Sequence, residues 1–207
     1  MLQVLGRTTS INVRKVLWTC AEIGLAIDHV EWGLADRPLS SPEFLALNPH
    51  ALVPVIVDDG FVLRESNTIC RYLAAKHGRV DLLPAEAAGR ARVEQWMDWQ
   101  ATDLNGAWGY AFLGLVRQSA QHRDAAAIEA SARRWNAQMA MLDGALRDGR
   151  PYVAGEAFTL ADIVLGLSTH RWLATPIERP ALPAVARHIE ALRARPAFRA
   201  IADPHPP

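Results

Sequence analysis

Two short motifs, Val53-Pro54 and Glu65-Ser66, carry residue types that can bind a small peptide by its backbone and by its charged end. Pro54 opens an apolar run that reads as a strand, and a proline is tolerated there only at a sheet edge or at the strand's start. If the Val53-Pro54 bond is cis, the N–H and C=O of Val53 face outward and can pair with an extended ligand. A trans proline at a strand start is the alternative, and it implies no ligand.

Glu65 and Ser66 begin a predicted helix. The free backbone N–H groups and the positive end of the helix dipole favour a carboxylate at such a terminus, and the Ser66 hydroxyl can donate to the same group. Glu65 can accept from an ammonium group, so the pair suits the head of an α-amino acid. Ordinary helix capping is the alternative, since acidic and hydroxyl residues are frequent at helix starts.

The elements that must position these motifs follow from apolar spacing and turn signals. The Asp58-Asp59-Gly60 turn between two apolar runs predicts a hairpin, and Gly78 can end the helix that Glu65 begins. In chain order, we predict strand 2–5, helix 11–23, strand 28–32, helix 43–47, strands 53–57 and 61–63, and a helix from residue 65 to about 77. Residues 1–77 therefore read as one β-α-β-α-β-β-α domain.

The second half of the chain is predicted to be an all-helical bundle. Residues 78–88 lose periodicity and form a linker, and residues 89–207 are the second domain, with helices predicted at 90–118, 125–147, from 159 onward and at 183–195. Thr159 and Asp162 fit a capping box, and Phe158 on Ile163 fits a hydrophobic staple. Pro196 is expected to end the 183–195 helix, and the Pro-rich residues 203–207 are expected to be irregular.

Composition excludes several classes of function. Twenty-two Lys and Arg balance twenty-two Asp and Glu with no long basic run, so no nucleic-acid partner is expected. No apolar stretch approaches the roughly 20 residues that span a bilayer, and no secretion signal is evident, so we expect a cytoplasmic protein without membrane association. The two cysteines, Cys20 and Cys70, form no Cys-x-x-Cys motif and read as buried structural thiols. No metal is predicted.

The longer segment that contains both motifs resembles a known family. It reads NPHALVPVIVDDGFVLRESNTICRYLA, and it is similar to the thioredoxin-like domain of the cytosolic glutathione S-transferases. The likeness extends over nearly the whole chain and implies a thioredoxin-like domain followed by a helical domain. It also implies a cytoplasmic, homodimeric detoxification transferase that uses glutathione as co-substrate and attacks a small hydrophobic electrophile. By this resemblance Pro54 is cis, Val53 binds the cysteinyl backbone, and Glu65 and Ser66 hold the γ-glutamyl end.

One position departs from the family pattern. Family members often carry Lys or Gln just before the Val-Pro pair, where it contacts the glycine carboxylate of glutathione, and this chain has Leu52. His50 and Arg37 are the substitutes for that contact. The alternative is that both are solvated loop residues.

The thiol must be activated, because a free thiol has a pKa near 8.5 and its thiolate is the nucleophile. The loop before the first helix contains no tyrosine, so the resemblance favours the Ser- and Thr-using classes. A plant-like pattern falls on Thr9, and a bacterial Thr-x-Asn pattern falls on Ser10 and Asn12, which we favour. At least one of the three is expected only to cap the helix.

The family's long helix over the thiol implies an electrophile pocket formed by Trp108 and Phe112, with Trp32 as a further candidate; plain packing is the alternative. Asp103 on the same helix is a candidate contact to glutathione in the partner subunit. Two other functions stay open. One is a glutathione-dependent disulfide reductase or peroxidase, and the other is a non-catalytic glutathione-binding module.

Overall fold

The computed structural model describes residues 1–202 and begins with a four-stranded sheet. The strands are β1 (Leu2–Leu5), β2 (Ile27–Val30), β3 (Val55–Asp58) and β4 (Phe61–Arg64), in the spatial order β2-β1-β3-β4. β1 runs parallel to β2 and antiparallel to β3, and β3 and β4 form an antiparallel hairpin. With α1 (Ile11–Ile23), α2 (Pro42–Leu47) and α3 (Ser66–Lys76), this confirms the predicted thioredoxin-like β-α-β-α-β-β-α order.

Pro54 does not lie at a sheet edge. β3 is paired on one side with β1 and on the other with β4, so an edge position for the proline is wrong. The strand begins only at Val55, which places Pro54 just before the ladder, where its missing N–H leaves no hydrogen bond unmade. Pro54 therefore lies at the start of the strand and not at an edge.

The second half is helical, as predicted. Its helices are α4 (Ala87–Trp99), α5 (Asn105–Leu115), α6 (Ala125–Ala145), α7 (Leu160–Ala174), α8 (Pro183–Arg193) and α9 (Pro196–Ile201). The long helix predicted from residue 90 is interrupted by a π-helical segment, Gln100–Leu104. Pro196 does not simply end a helix: it occupies the first turn of α9, where its missing N–H would be unpaired in any case. The prediction for residues 203–207 lies outside the described residues.

The predicted capping box at the start of α7 is present. The backbone N–H of Thr159 donates to the Asp162 carboxylate at 2.9 Å, and the reciprocal bond to the Asp162 backbone completes the box. Phe158 and Ile163, the residues of the proposed staple, are both buried in the main core. The local sequence pattern therefore predicted the start of this helix correctly.

The two halves share one hydrophobic core, because α1 packs directly on α7. The Trp18 ring of α1 lies 5.9 Å from Phe158 and 5.1 Å from Phe198. Gly166 of α7 permits this approach, since a Cβ there would lie 3.2 Å from the Trp18 ring and 2.6 Å from Leu192. The sheet domain is thus held against the helical half by buried contact. The exact boundary at residues 78–88 stays a prediction.

Candidate functional site

One small cleft brings together the motifs that were singled out in the sequence. We call it the peptide cleft; it holds about 80 Å³ and is lined by Asn12, Asn48, Leu52, Val53, Pro54, Glu65 and Ser66. The Val53-Pro54 bond is cis, as the resemblance implied. Gly6 allows the end of β1 to approach this wall, since a Cβ there would lie 2.8 Å from that of Val53.

Glu65 has a backbone conformation that is unusual for the residue before a helix. It precedes α3 with φ 70° and ψ 107°, a backbone region that non-glycine residues rarely adopt and that is concentrated at functional sites. Its carboxylate makes no capping bond to the helix. Ser66 follows as the first residue of α3 and lines the same cleft. The carboxylate of Glu65 and the start of α3 are therefore both available to an amino-acid head.

The three candidate thiol-activating residues lie at the entrance to α1. Asn12 lines the peptide cleft, whereas Thr9 and Ser10 do not. Ser10 occupies the N-cap position of α1, but its side chain makes no capping bond to that helix. Its hydroxyl therefore does not cap the helix, which was the main alternative to thiol activation. Which of the three residues activates the thiol stays a prediction.

The loop before Val53 is held by Asn48, a residue that the sequence analysis did not include among the binding candidates. Its buried side chain donates to the Leu52 carbonyl at 2.8 Å and accepts from the His50 amide at 3.1 Å. The signal for it was the Asn-Pro pair of the family pattern. Leu52 lines the cleft and is 61 % exposed, while the structure brings neither His50 nor Arg37 into the lining.

The candidates for an electrophile pocket lie outside the peptide cleft. Trp108 is half-buried and donates from Nε1 to Asn105 at 3.0 Å, and Phe112 is buried beside it with the two rings 5.3 Å apart. Trp32 packs on Phe44, 5.2 Å away, in a small separate core. The pocket role of these three aromatic residues stays a prediction.

Asp103 lies on the π-helical segment and is exposed. Its carboxylate accepts a hydrogen bond from the neighbouring Thr102 hydroxyl at 2.9 Å. An exposed carboxylate can reach another subunit, and its contact to a partner's glutathione stays a prediction.

A buried lysine lies next to the start of α3, and no sequence signal indicated it. The ammonium group of Lys15 donates to Gln100 Oε1 at 2.6 Å and to Asn67 Oδ1 at 3.2 Å. Asn67 follows Ser66 directly and donates in turn to the Met97 carbonyl at 2.7 Å. Lys15 therefore ties the start of α3 to the helical half of the protein.

Burial lowers the pKa of Lys15 to about 7, because its partners are neutral amides that do not offset the loss of water. The charge of Arg171 contributes to this lowering, while Cys70 and Glu65 act in the opposite direction. An unfolded lysine has a pKa of about 10.4. Between these values the unfolded chain holds the extra proton, so this group's contribution makes the protein more stable as the pH rises from 7 towards 10.

We expect the free energy of unfolding of the wild type to gain about 1–2 kcal/mol from Lys15 between pH 7 and 8.5, and Lys15→Met to lack this gain. The buried thiols oppose the rise, because burial raises the pKa of Cys70 to about 11 and that of Cys20 to about 12. The informative quantity is therefore the difference between the urea-unfolding curves of wild type and variant at each pH. A difference that does not change with pH would contradict the expectation.

The remaining chemistry of the described chain is limited. Both cysteines are buried with raised thiol pKa values, which disfavours a protein thiolate. Residues 1–202 contain no group of three or more His, Cys, Asp or Glu side chains placed to bind a metal ion. Over the same residues, no helix is both long enough and apolar enough to cross a bilayer.

Comparison with known proteins identifies the family. Residues 5–81 match the glutathione S-transferase N-terminal domain, and residues 105–196 match the glutathione S-transferase C-terminal domain. The chain is 36 % identical to glutathione S-transferase GstB of Escherichia coli over 203 residues, which cover 97 % of each protein. It is 35 % identical to glutathione S-transferase 3 of Zea mays over 218 residues, which cover 100 % of this chain and 97 % of the maize protein.

Solved structures agree. The theta class glutathione S-transferase of Xanthomonas axonopodis pv. citri, crystallised with glutathione bound, superposes with a TM-score of 0.91 at 39 % identity, over 97 % of this chain and 96 % of that one. The fold, the peptide cleft and these matches lead to one conclusion. The chain belongs to the glutathione S-transferase family.

Proposed function

We propose that this protein is a glutathione transferase that binds the tripeptide in the peptide cleft and presents its thiol to the loop before α1. The observation that carries this is the meeting of Val53, Glu65, Ser66 and Asn12 in one cleft, although they come from distant parts of the chain. The backbone of Val53 pairs with the cysteinyl residue, as an added strand would. Glu65 accepts from the γ-glutamyl ammonium group, and Ser66 with the start of α3 holds the α-carboxylate.

The transfer step needs only a thiolate and a leaving group. A donor in the loop, with Ser10 as our first choice beside Thr9 and Asn12, stabilises the thiolate and lowers its pKa. The sulfur then attacks the electrophilic carbon, a carbon–sulfur bond forms, and the leaving group departs with the electron pair of its bond. Trp108, Phe112 and Trp32 are the proposed apolar surroundings of that carbon, with burial of the acceptor excluding water.

The test of glutathione binding is Ser66→Ala. We expect this variant to bind glutathione about 10- to 100-fold more weakly, because a hydrogen bond to a charged group contributes about 1.5–3 kcal/mol. Retention on immobilised glutathione and titration calorimetry measure the loss. Ser40→Ala is the matched control, since it removes the same hydroxyl from an exposed position before α2. Equal absence of retention for wild type and Ser66→Ala would overturn the proposal.

A second candidate is glutathione-dependent disulfide reduction. It is favoured by the position of Asn12 in the peptide cleft, because the Thr-x-Asn pattern that Ser10 and Asn12 fit is associated with that activity. In this reaction two glutathione thiols reduce one disulfide and leave as oxidised glutathione. Turnover of a small disulfide, compared with that of an aromatic halide, decides between the two activities.

We also propose that the protein forms a homodimer. β4 is an edge strand, and it exposes Phe61 by 49 % and Val62 by 38 %, which is an apolar edge that a partner can cover. The mass from sedimentation equilibrium of the wild type checks this. Asp103 is the proposed contact to the partner's glutathione, and the cytoplasmic location stays a prediction.

A further inference from the structure

Two guanidinium groups face the ring of Phe112. That of Arg171, on α7, lies 4.0 Å from the ring centre, and that of Arg117, just after α5, lies 5.3 Å away. Arg171 also lies 4.6 Å from the centre of the Trp108 ring. The proposed electrophile pocket is therefore aromatic in composition but bordered by positive charge.

These cations are next to the loop that carries the thiol-activating candidates. Arg117 donates from Nη2 to the Thr9 carbonyl at 2.8 Å, across 108 positions of sequence. Thr9 directly precedes Ser10. Arg117 is exposed, whereas Arg171 is only 3 % exposed, so Arg117 is the cation that an incoming molecule can touch.

Arg7, on the same loop as Thr9, adds a further positive charge to this region. Among residues 1–202, no carboxylate forms an ion pair with Arg7, Arg117 or Arg171. Glu31, which directly follows β2, accepts from the Thr8 amide at 3.1 Å instead. Arg117 is thus an exposed charge without an ion pair among these residues, so it is available to an anion from solution.

The charges also act on one another. Burial, together with the charges of Arg14 and Arg117, lowers the pKa of Arg171 to about 9. The Nε atom of Arg171 is buried and has no hydrogen-bond partner among the described residues. An anion beside Arg117 would offset part of this repulsion.

We propose that the acceptor site takes aromatic electrophiles that carry a carboxylate, and that Arg117 is the residue that selects for that charge. The inference rests on the proposed transferase function and adds the substrate class. A guanidinium presents a planar fork of donors that matches a carboxylate, and the Phe112 ring offers a face for the aromatic part of the same molecule. Exposed positive charge also raises the local concentration of anions.

A suitable probe is 4-chloro-3-nitrobenzoate, with 4-chloro-3-nitrobenzamide as its neutral counterpart. In both, the glutathione thiolate attacks the carbon that bears chlorine, a carbon–sulfur bond forms, and chloride leaves with the electron pair. The thiol proton goes to solvent, and the carboxylate or carboxamide is unchanged. Because the two substituents activate the ring differently, each kcat/KM is divided by the rate of the uncatalysed reaction with glutathione.

The wild type is expected to prefer the benzoate after this correction, and Arg117→Gln is expected to lower the benzoate value about 5- to 30-fold while leaving the benzamide value nearly unchanged. Arg134→Gln makes the same charge change at an exposed position on α6 and is the matched control. Raising the ionic strength should reduce the preference of the wild type, since Arg117 is exposed.

Equal corrected rates for the two probes in the wild type would overturn the inference. So would an equal loss for both probes in Arg117→Gln, because that result indicates only a structural role through the Thr9 carbonyl. If the wild type is retained on glutathione but turns over only the benzamide, the preference for anionic acceptors is wrong. The proposed transferase function would still hold. If the wild type is not retained on immobilised glutathione, the result would instead contradict the proposed function itself.

Discussion

Replacing Asp162 with alanine is expected to lower the free energy of unfolding by about 3–5 kcal/mol, the cost of breaking a buried network around a charge. The carboxylate is fully buried and accepts from the backbone N–H groups of Val153 and Thr159, both at 2.9 Å. Nε2 of His188 lies 2.9 Å from the same group. Removing the carboxylate leaves these donors buried without partners and removes one half of the capping box of α7.

Asp124→Ala is the matched control for this prediction. Asp162 is the third residue of α7, whereas Asp124 is the N-cap of α6; both carboxylates cap the start of a helix, but Asp124 is exposed and accepts from the Ala127 amide at 2.8 Å. Its loss should cost only about 1 kcal/mol, the usual value for a solvated cap. Urea unfolding followed by tryptophan fluorescence measures both variants. Equal losses would mean that the buried network around Asp162 contributes no more than a single helix cap.

The capping box at the start of α7 also illustrates which features could be predicted from the sequence. The Thr159–Asp162 box is a local pattern, because both residues lie within one turn of the chain, and its position was predicted correctly. The same holds for the Asp-Gly hairpin between β3 and β4, and for the helix that follows Glu65. Local geometry needs no knowledge of the rest of the fold, so residue types and spacing were sufficient.

The contacts that the sequence did not reveal are those between distant elements. Lys15 and Gln100 are 85 positions apart, and Arg117 and Thr9 are 108 apart. A lysine or arginine on a helix ordinarily reads as a solvated side chain, and only the packing of α1 on the helical half buries Lys15. The polar surroundings of the site could therefore be identified only from the structure, whereas the peptide cleft could be predicted from the sequence.

The resemblance supplied the cis bond at Pro54 and the roles of Glu65 and Ser66, while the residues alone left both capping and binding open. In the structure the Glu65 carboxylate makes no capping bond, and its role in binding stays a prediction. The π-helical segment Gln100–Leu104 was missed since its residues fit a regular helix by type. Its position coincides with Gln100, whose side chain turns inward to Lys15.

Ser10→Ala is expected to lower kcat at pH 7 by about 10- to 100-fold, because losing a donor to the thiolate raises the thiol pKa of bound glutathione by about 1–2 units. Glutathione binding through Val53, Glu65 and Ser66 should be preserved. The free energy of unfolding should change by less than about 0.5 kcal/mol, since the Ser10 side chain makes no capping bond to α1. The loss of activity should therefore be separable from any loss of fold.

The pH profile identifies the donor among the three candidates. If the hydroxyl of Ser10 stabilises the thiolate, the rate of Ser10→Ala recovers as the pH rises above the new thiol pKa, whereas an enzyme that has lost glutathione affinity does not recover in this way. Thr9→Ala and Asn12→Ala are measured beside it, and the variant with the shifted profile marks the activating residue. Three unshifted profiles with intact glutathione retention would contradict thiol activation by this loop. The cleft would then serve binding alone, because a bound thiol that stays protonated at neutral pH is a weak nucleophile.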